Sequence, residues 1–357
     1  MGKRANSFRR AAKRYETWLS GYCELDRKAL ARKEEKMGRS AFAFLRATFF
    51  RWPHYLGAVE PRLLKVPTIL CVGDIHLENY GTWRDAEGRL VWGINDFDEA
   101  AKLPFTSDLV RLAASALLAG SNRAAVAAIE SGYRRGLSGP PRPFVLEDLH
   151  PELRDLAIVN GAAAKDEWDK IRADGEVTAR KLGAPLRDLL LTCLPPGTTN
   201  LRLYRRLAGL GSLGRPRYVA VGIWYGGLVA REAKAAAPSA VRMPKTGIAN
   251  PLADYRRIEA LGFRARDPHL HLADRWIVRR LSPEARKIEI DKIEDVANRQ
   301  VLLQAMGEEL ANMHRGTAGS AAPLRKALAR LPNNWLQRAA AAAAERVSED
   351  YAAFGGS

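Results

Sequence analysis

Two short apolar runs, each ending in an acidic turn, constrain this chain most. Thr68-Ile69-Leu70-Cys71-Val72 runs into Gly73-Asp74, and Leu90-Val91-Trp92-Gly93-Ile94 runs into Asn95-Asp96-Phe97-Asp98. Apolar runs of this length, bounded by turn signals, read as buried strands. A turn at Ala86-Glu87-Gly88 precedes the second run, so two strands are expected to bring two acidic turns close together. A cluster of Asp74, Asp96, Asp98 and Glu99 repels phosphates unless a cation intervenes.

The rest of the composition suits an enzyme with anionic partners. With 357 residues and 47% hydrophobic content, the chain can bury a substantial core over two or three domains or lobes. A formal net charge of +17 favours nucleotides, phosphorylated metabolites, nucleic acid or anionic membrane. Lys3, Arg4, Arg9, Arg10, Lys13 and Arg14 precede Tyr15 and Trp18, a pattern of a solvated helix face or of a nucleic-acid or membrane contact. Cys23, Cys71 and Cys193 have no CxxC spacing, which fits a reducing compartment without a disulfide framework or zinc site. The first residues are charged and no apolar stretch is long enough to span a bilayer, so the expected location is the cytoplasm.

Along the chain, residues 1–66 read as polar helices leading to the core segment Ser40–Arg46, with Pro53 as a break. Ser107 to about Arg135 carries a helical face of Leu109, Leu112, Ala113, Ala116 and Leu117, ended by Gly139-Pro140-Pro141. Residues 145–200 read as helices with a loop at Pro195-Pro196-Gly197. A β-rich unit over 201–280 follows, with a hairpin of Tyr218–Trp224 and Gly227–Lys234, a helix from Asp254 to Leu261 and a strand Arg275–Arg279. Over 281–357, helices are expected from Val296 to about His314 and at the alanine run Ala339–Ala344.

Phosphoryl transfer needs a carboxylate to orient or deprotonate a hydroxyl, oxygen ligands for Mg²⁺, a loop over the phosphates and a lysine to steady their charge. Asp74 and Asn79 are five apart and share one loop. Asp96 offers a stronger metal ligand and Asp98 a further one. Leu207-Ala208-Gly209-Leu210-Gly211-Ser212-Leu213-Gly214 is a GxGxxG between two apparent strands, and Lys234 ends the following hairpin. A glycine-rich hairpin without a ligand and a solvated lysine are the plainer alternatives. Glu259 is the candidate partner of Lys234, with Glu232 competing. His76 can orient the loop through a backbone hydrogen bond or act in catalysis.

Gly73-Asp74-x-His76-x-x-Asn79 followed by Ile94-Asn95-Asp96-Phe97-Asp98 resembles the catalytic loop and metal-binding Asp of the aminoglycoside and choline kinase branch of the protein-kinase-like fold. Ser40–Arg46, Gly73–Gly81, Asn95–Ala100 and Asp108-Leu109-x-Arg111-Leu112 more closely resemble the bacterial family called domain of unknown function 2252. The resemblance implies an α+β, two-lobed kinase-like fold that binds ATP and Mg²⁺ and acts on an unidentified hydroxyl acceptor. It makes Asp74 the catalytic base, Asn79 and Asp96 metal ligands, and Asp108 a brace for the catalytic loop. The glycine loop Gly209–Gly214, with Ser212, and Lys234 follow the catalytic loop instead of preceding it. Met306–His314 resembles the helix that normally precedes that loop, so the order implies circular permutation. The implied divisions are a helical segment 1–66, catalytic-lobe parts 67–200 and 281–357, and a nucleotide lobe 201–280.

Two other classes compete. Val72-Gly73-Asp74-Ile75-His76 and His269-Leu270-His271 resemble end motifs of metallophosphoesterases, but the intervening ligand motifs of a two-metal site are missing. The net charge alone supports a non-catalytic nucleotide-binding or nucleic-acid-binding protein, whose binding would be steeply salt-dependent.

Overall fold

Hydrophobic spacing accounts for the first helices. The computed structural model describes residues 2–157, 161–288, 290 and 293–355. Helix α1 (Gly2–Leu19) buries Phe8, Tyr15, Trp18 and Leu19 and turns Arg9, Arg10, Lys13 and Arg14 outward. The side chains of Lys3 and Arg4 lie outside those described. Asp26 caps α2 (Arg27–Met37) by accepting from Ala29 N at 3.1 Å, and Ser40 caps α3 (Ala41–Ala47) likewise through Ala43 N. Pro53 starts α4 (Trp52–Val59) instead of breaking a helix, because the first helical turn has no use for its missing N–H.

The next strands form two sheets. Strand β1 (Thr68–Cys71) pairs antiparallel with β4 (Ala101–Pro104). Strand β2 (Tyr80–Arg84) pairs with β3 (Leu90–Ile94), which also pairs with β5 (Phe144–Val145). The continuous helix expected from Ser107 is two helices, α5 (Thr106–Leu118) and α6 (Arg123–Ser138). Gly120 at φ +86° ends the first, and the Asn122 side chain caps the second through Ala124 N. Helices α7 (Leu146–Leu149), α8 (Pro151–Ala157), α9 (Gly161–Arg172), α10 (Ala179–Leu182) and α11 (Ala184–Thr192) lead to the expected loop.

A five-stranded antiparallel sheet follows. Its order is β6 (Thr199–Arg205), β7 (Arg217–Trp224), β8 (Gly227–Ala235), β10 (Trp276–Leu281) and β9 (His271–Ala273), with α12 (Ala253–Leu261) between β8 and β9 in sequence. Leu186 and Leu190 of α11 cover one face on Ala220, Ala233 and Val278. Ile171 of α9 covers the other beside Tyr204, Val219 and Ala230.

Helix α13 (Val296–Ala318) then returns to the first core and lies along α6. A Cβ on Gly132 would stand 1.9 Å from Gln304 O, and one on Gly307 2.1 Å from Ile129 O, so glycines on both helices permit this approach. Helices α14 (Ala322–Leu328) and α15 (Trp335–Gly355) complete the same core, with Phe354 against Phe8 of α1. The architecture is mixed α+β with antiparallel sheets. Among the described residues, no helix is long and apolar enough to cross a membrane.

Candidate functional site

Asp74 follows β1 through a bend that requires glycine. Gly73 has φ +82°, and a Cβ there would lie 2.1 Å from Glu99 O. The Asp108 carboxylate at the start of α5 anchors this bend, accepting from Val72 N at 2.7 Å and Gly73 N at 3.0 Å. Behind it, His314 Nε2 of α13 is 3.0 Å from Asp108 Oδ2, and the Tyr133 hydroxyl is 2.9 Å from His314 Nδ1. Cys71, Asp108 and His314 hold potential ligand atoms within 4.8 Å of one another, but this buried network already occupies the carboxylate with backbone donors.

Arg111, one helical turn after Asp108, reaches the Asp74 carboxylate. Its Nε lies 3.1 Å from Oδ1, its Nη2 contacts the same oxygen, and its guanidinium is 5.0 Å from the Phe49 and Trp52 rings. Burial pushes the Asp74 carboxyl up, and Arg111 opposes that rise. His76 Nδ1 accepts from Glu78 N at 3.1 Å, and burial holds the imidazole well below its usual pKa, so His76 is a neutral brace of the short turn Leu77–Asn79.

Asn79 joins the two acidic turns. Its Nδ2 donates to Asp74 O at 3.1 Å and Asp96 O at 3.0 Å, while its Oδ1 accepts from Asp96 N at 3.1 Å. That amide oxygen therefore already serves the backbone. Lys234 Nζ from β8 stands 2.9 Å from Asp96 Oδ2 and 2.6 Å from Asp98 Oδ2. Arg215 Nη2 also reaches Asp98 Oδ2 at 2.6 Å, and Arg279 lies 3.9 Å from Asp96. Burial opposes ionisation of Asp96, but Lys234 and Arg279 outweigh it and hold the carboxyl well below the usual range. Among the described residues, Asp98 Oδ1 is buried without a hydrogen-bond partner.

The expected partners of Lys234 are corrected by this arrangement. Glu259 of α12 pairs with Arg264 at 3.0 Å. Glu232 shares a sheet face with Lys234, but Arg206 and Arg217 take its two oxygens at 3.0 and 2.6 Å. Arg206, just past β6, and Arg217 of β7 thus satisfy Glu232, leaving Lys234 to the acidic turn.

The glycine segment joins β6 to β7 and closes toward Asp74 as a tight turn, Leu210–Ser212. Gly209 and Gly214 have φ of +73° and +107°. A Cβ on Gly211 would lie 3.1 Å from Asp74 Oδ2, and Lys33 Nζ donates to Gly211 O at 3.1 Å. Ser212 Oγ accepts from Arg217 Nη2 at 2.8 Å.

A cavity of about 400 Å³ unites these parts, with Asp74, His76, Asn79, Asp96, Asp98, Gly209, Gly211 and Ser212 in its lining. Lys234 lies behind the carboxylates, while Gly214 and Glu259 lie outside the lining. Arg111, Arg215, Arg279 and Glu99 are site residues that sequence reasoning missed or gave no role. Glu99 Oε2 accepts from Ala240 N at 2.7 Å, and burial pushes its carboxyl up to about 7. His269 lines the same cavity but its Nδ1 faces Arg231 at 3.3 Å, and His271 is exposed on β9.

Residues 25–132 match a bacterial family. It is described as uncharacterized protein conserved in bacteria (DUF2252). The match contains Asp74, Asn79, Asp96, Asp98, Asp108 and Arg111, and stops before the five-stranded sheet. No curated protein and no solved structure matches the chain.

Proposed function

We propose that the chain is an ATP- and Mg²⁺-dependent phosphotransferase of the protein-kinase-like kind, in circularly permuted order, acting on a hydroxyl acceptor in the cytoplasm. One observation carries this reading: Lys234 comes from 138 residues beyond Asp96, yet bridges Asp96 and Asp98 next to a glycine turn that closes on Asp74. In this reading the five-stranded sheet is the nucleotide lobe, and the helical core on either side of it in sequence is the catalytic lobe.

The donor set suits a hard divalent cation. Asp96 is held ionised, Asp98 keeps an unpartnered buried oxygen, and Asn79 locks the two turns together. Mg²⁺ bound there would neutralise phosphate charge. Asp74 is the base: Arg111 fixes Oδ1 and leaves Oδ2 toward Gly211, where an acceptor hydroxyl can be oriented and its proton taken. Lys234 and Arg279 would hold phosphate oxygens in place of the carboxylates now paired with them. Neutral His76 and the Asp108–His314 pair hold the catalytic turn in place.

The test is turnover of γ- and α-labelled ATP against a library of small hydroxyl compounds, with and without Mg²⁺. Asp96→Ala should abolish Mg²⁺-dependent nucleotide binding. Asp74→Asn should spare binding and lower turnover by about 10²–10⁴-fold, the range for loss of a general base. Equal loss of binding in both variants would make Asp74 a metal ligand instead and defeat the assignment.

A further inference from the structure

We propose that the chain has a second ligand site, at the opposite end of β1 from Asp74, for a small phosphorylated molecule with an apolar body. The segment Pro61–Lys65 that leads into β1 and the segment joining α14 to α15 enclose a cavity of about 540 Å³. Its floor is apolar, built from Leu63, Val66, Leu331 and Trp335. The Trp335 indole is fixed from behind, donating through Nε1 to Glu130 Oε1 at 3.0 Å, so a ring or chain can lie against it.

The lining is otherwise cationic. Arg62, Lys65, Lys326 and Arg330 have no ion-pair or side-chain hydrogen-bond partner among the described residues. A fifth cation, Arg338, pairs with Glu60 at 3.0 Å, and Glu60 is the one acid of the lining. Spread evenly over 16,532 Å² of surface, the net charge of +17 would place about one unmatched cation per 1,000 Å². Four at one cavity is a local concentration that raises its affinity for anions. Two guanidinium forks beside two ammonium groups suit the several oxygens of phosphate or pyrophosphate. The volume lies in the range of small-ligand sites, and its concave form favours a small molecule over a nucleic-acid strand or a flat bilayer.

The segment that forms one wall also touches the catalytic framework. Leu63 O accepts from Thr106 Oγ1 at 2.9 Å, at the start of the helix that carries Asp108 and Arg111. Occupancy of this cavity can therefore bear on the helix that anchors Asp74.

The experiment titrates the full chain with 1-anilinonaphthalene-8-sulfonate, an anionic aromatic probe, and then competes the probe with inorganic pyrophosphate. The wild type should show a binding component that pyrophosphate displaces. Lys326→Glu/Arg330→Glu should weaken that component by about tenfold or more, the scale of one lost charge-assisted contact. Lys326→Gln/Arg330→Gln should fall between, and keeps the test open should the Glu pair not fold. Unchanged probe and pyrophosphate binding in a folded variant would overturn the proposal. So would probe binding that pyrophosphate cannot displace, together with charge-dependent capture by phosphatidylglycerol vesicles, since the site would then be a lipid contact.

Discussion

Lys234→Met tests how the acidic turn is held. Lys234 is 3% exposed in its side chain and touches two carboxylates at 2.9 and 2.6 Å. Breaking a buried ion pair by removing one partner costs about 3–5 kcal/mol. Arg215 stays 2.6 Å from Asp98 and Arg279 stays 3.9 Å from Asp96, so the low end applies, about 3 kcal/mol. At about 2.1 cal/mol/K of unfolding entropy per residue, a chain of 357 residues should then lose about 4 °C in Tm. Methionine keeps the stem, so packing contributes little to the loss. The freed carboxylates should also bind a divalent cation more readily, and millimolar Mg²⁺ should restore more of the variant's Tm than it adds to the wild type. Scanning calorimetry with and without Mg²⁺ measures both effects. An unchanged Tm, or an equal Mg²⁺ effect in the two proteins, would refute the claim that Lys234 offsets the charge of this turn.

Three further outcomes follow from the same geometry. Gly73→Ala combines a left-handed backbone with a Cβ 2.1 Å from Glu99 O, and should cost about 3 kcal/mol or more by urea denaturation. Arg111→Met removes the cation that opposes the burial-driven rise of Asp74, so the acid limb of the turnover profile should move to higher pH. Glu99 has its folded pKa raised from 4.5 to about 7, so its contribution is fully present below the unfolded value and is lost as pH rises through 7. Glu99→Gln, whose amide oxygen can still accept from Ala240 N, should therefore gain about 2.5 kcal/mol on the wild type between pH 5 and pH 8, and a pH-independent difference would contradict it.

Local pattern made much of the fold legible. The strands before Asp74 and Asp96 stood out because each is an apolar run ended by a turn, and the β7–β8 hairpin because Tyr225-Gly226-Gly227 interrupts two apolar runs. Strand β2 did not stand out: Tyr80, Gly81, Thr82 and Trp83 are all buried, so the alternation that marks a half-exposed strand is absent. The break between α5 and α6 was hidden because the apolar spacing continues to Leu117 and a single left-handed Gly120 ends the helix. In the site, one loop or one turn supplied each readable residue. Arg111, Arg215 and Arg279 converge from α5, the segment after the glycine turn and β10, and no spacing rule links such positions. The wrong partners for Lys234 have the same origin, because nearness in sequence favoured Glu232 and Glu259 while the sheet directed Lys234 to a turn 138 residues earlier.

The charge layout also limits what can enter the cavity. Asp74, Asp96 and Asp98 each have a cationic partner. An anion alone would have to draw Lys234 and Arg279 away from Asp96 and leave that half-buried carboxylate uncompensated. A dication alone would face the opposite difficulty, displacing ammonium and guanidinium groups while the nearby Glu232 is already taken by Arg206 and Arg217. A ligand that brings both signs exchanges partners without stranding either: the dication takes the carboxylates, and the anionic groups take the lysine and arginine. On the proposed reading, a metal-complexed polyanion such as Mg²⁺-bound ATP therefore fits this charge layout better than a bare phosphate or a bare metal.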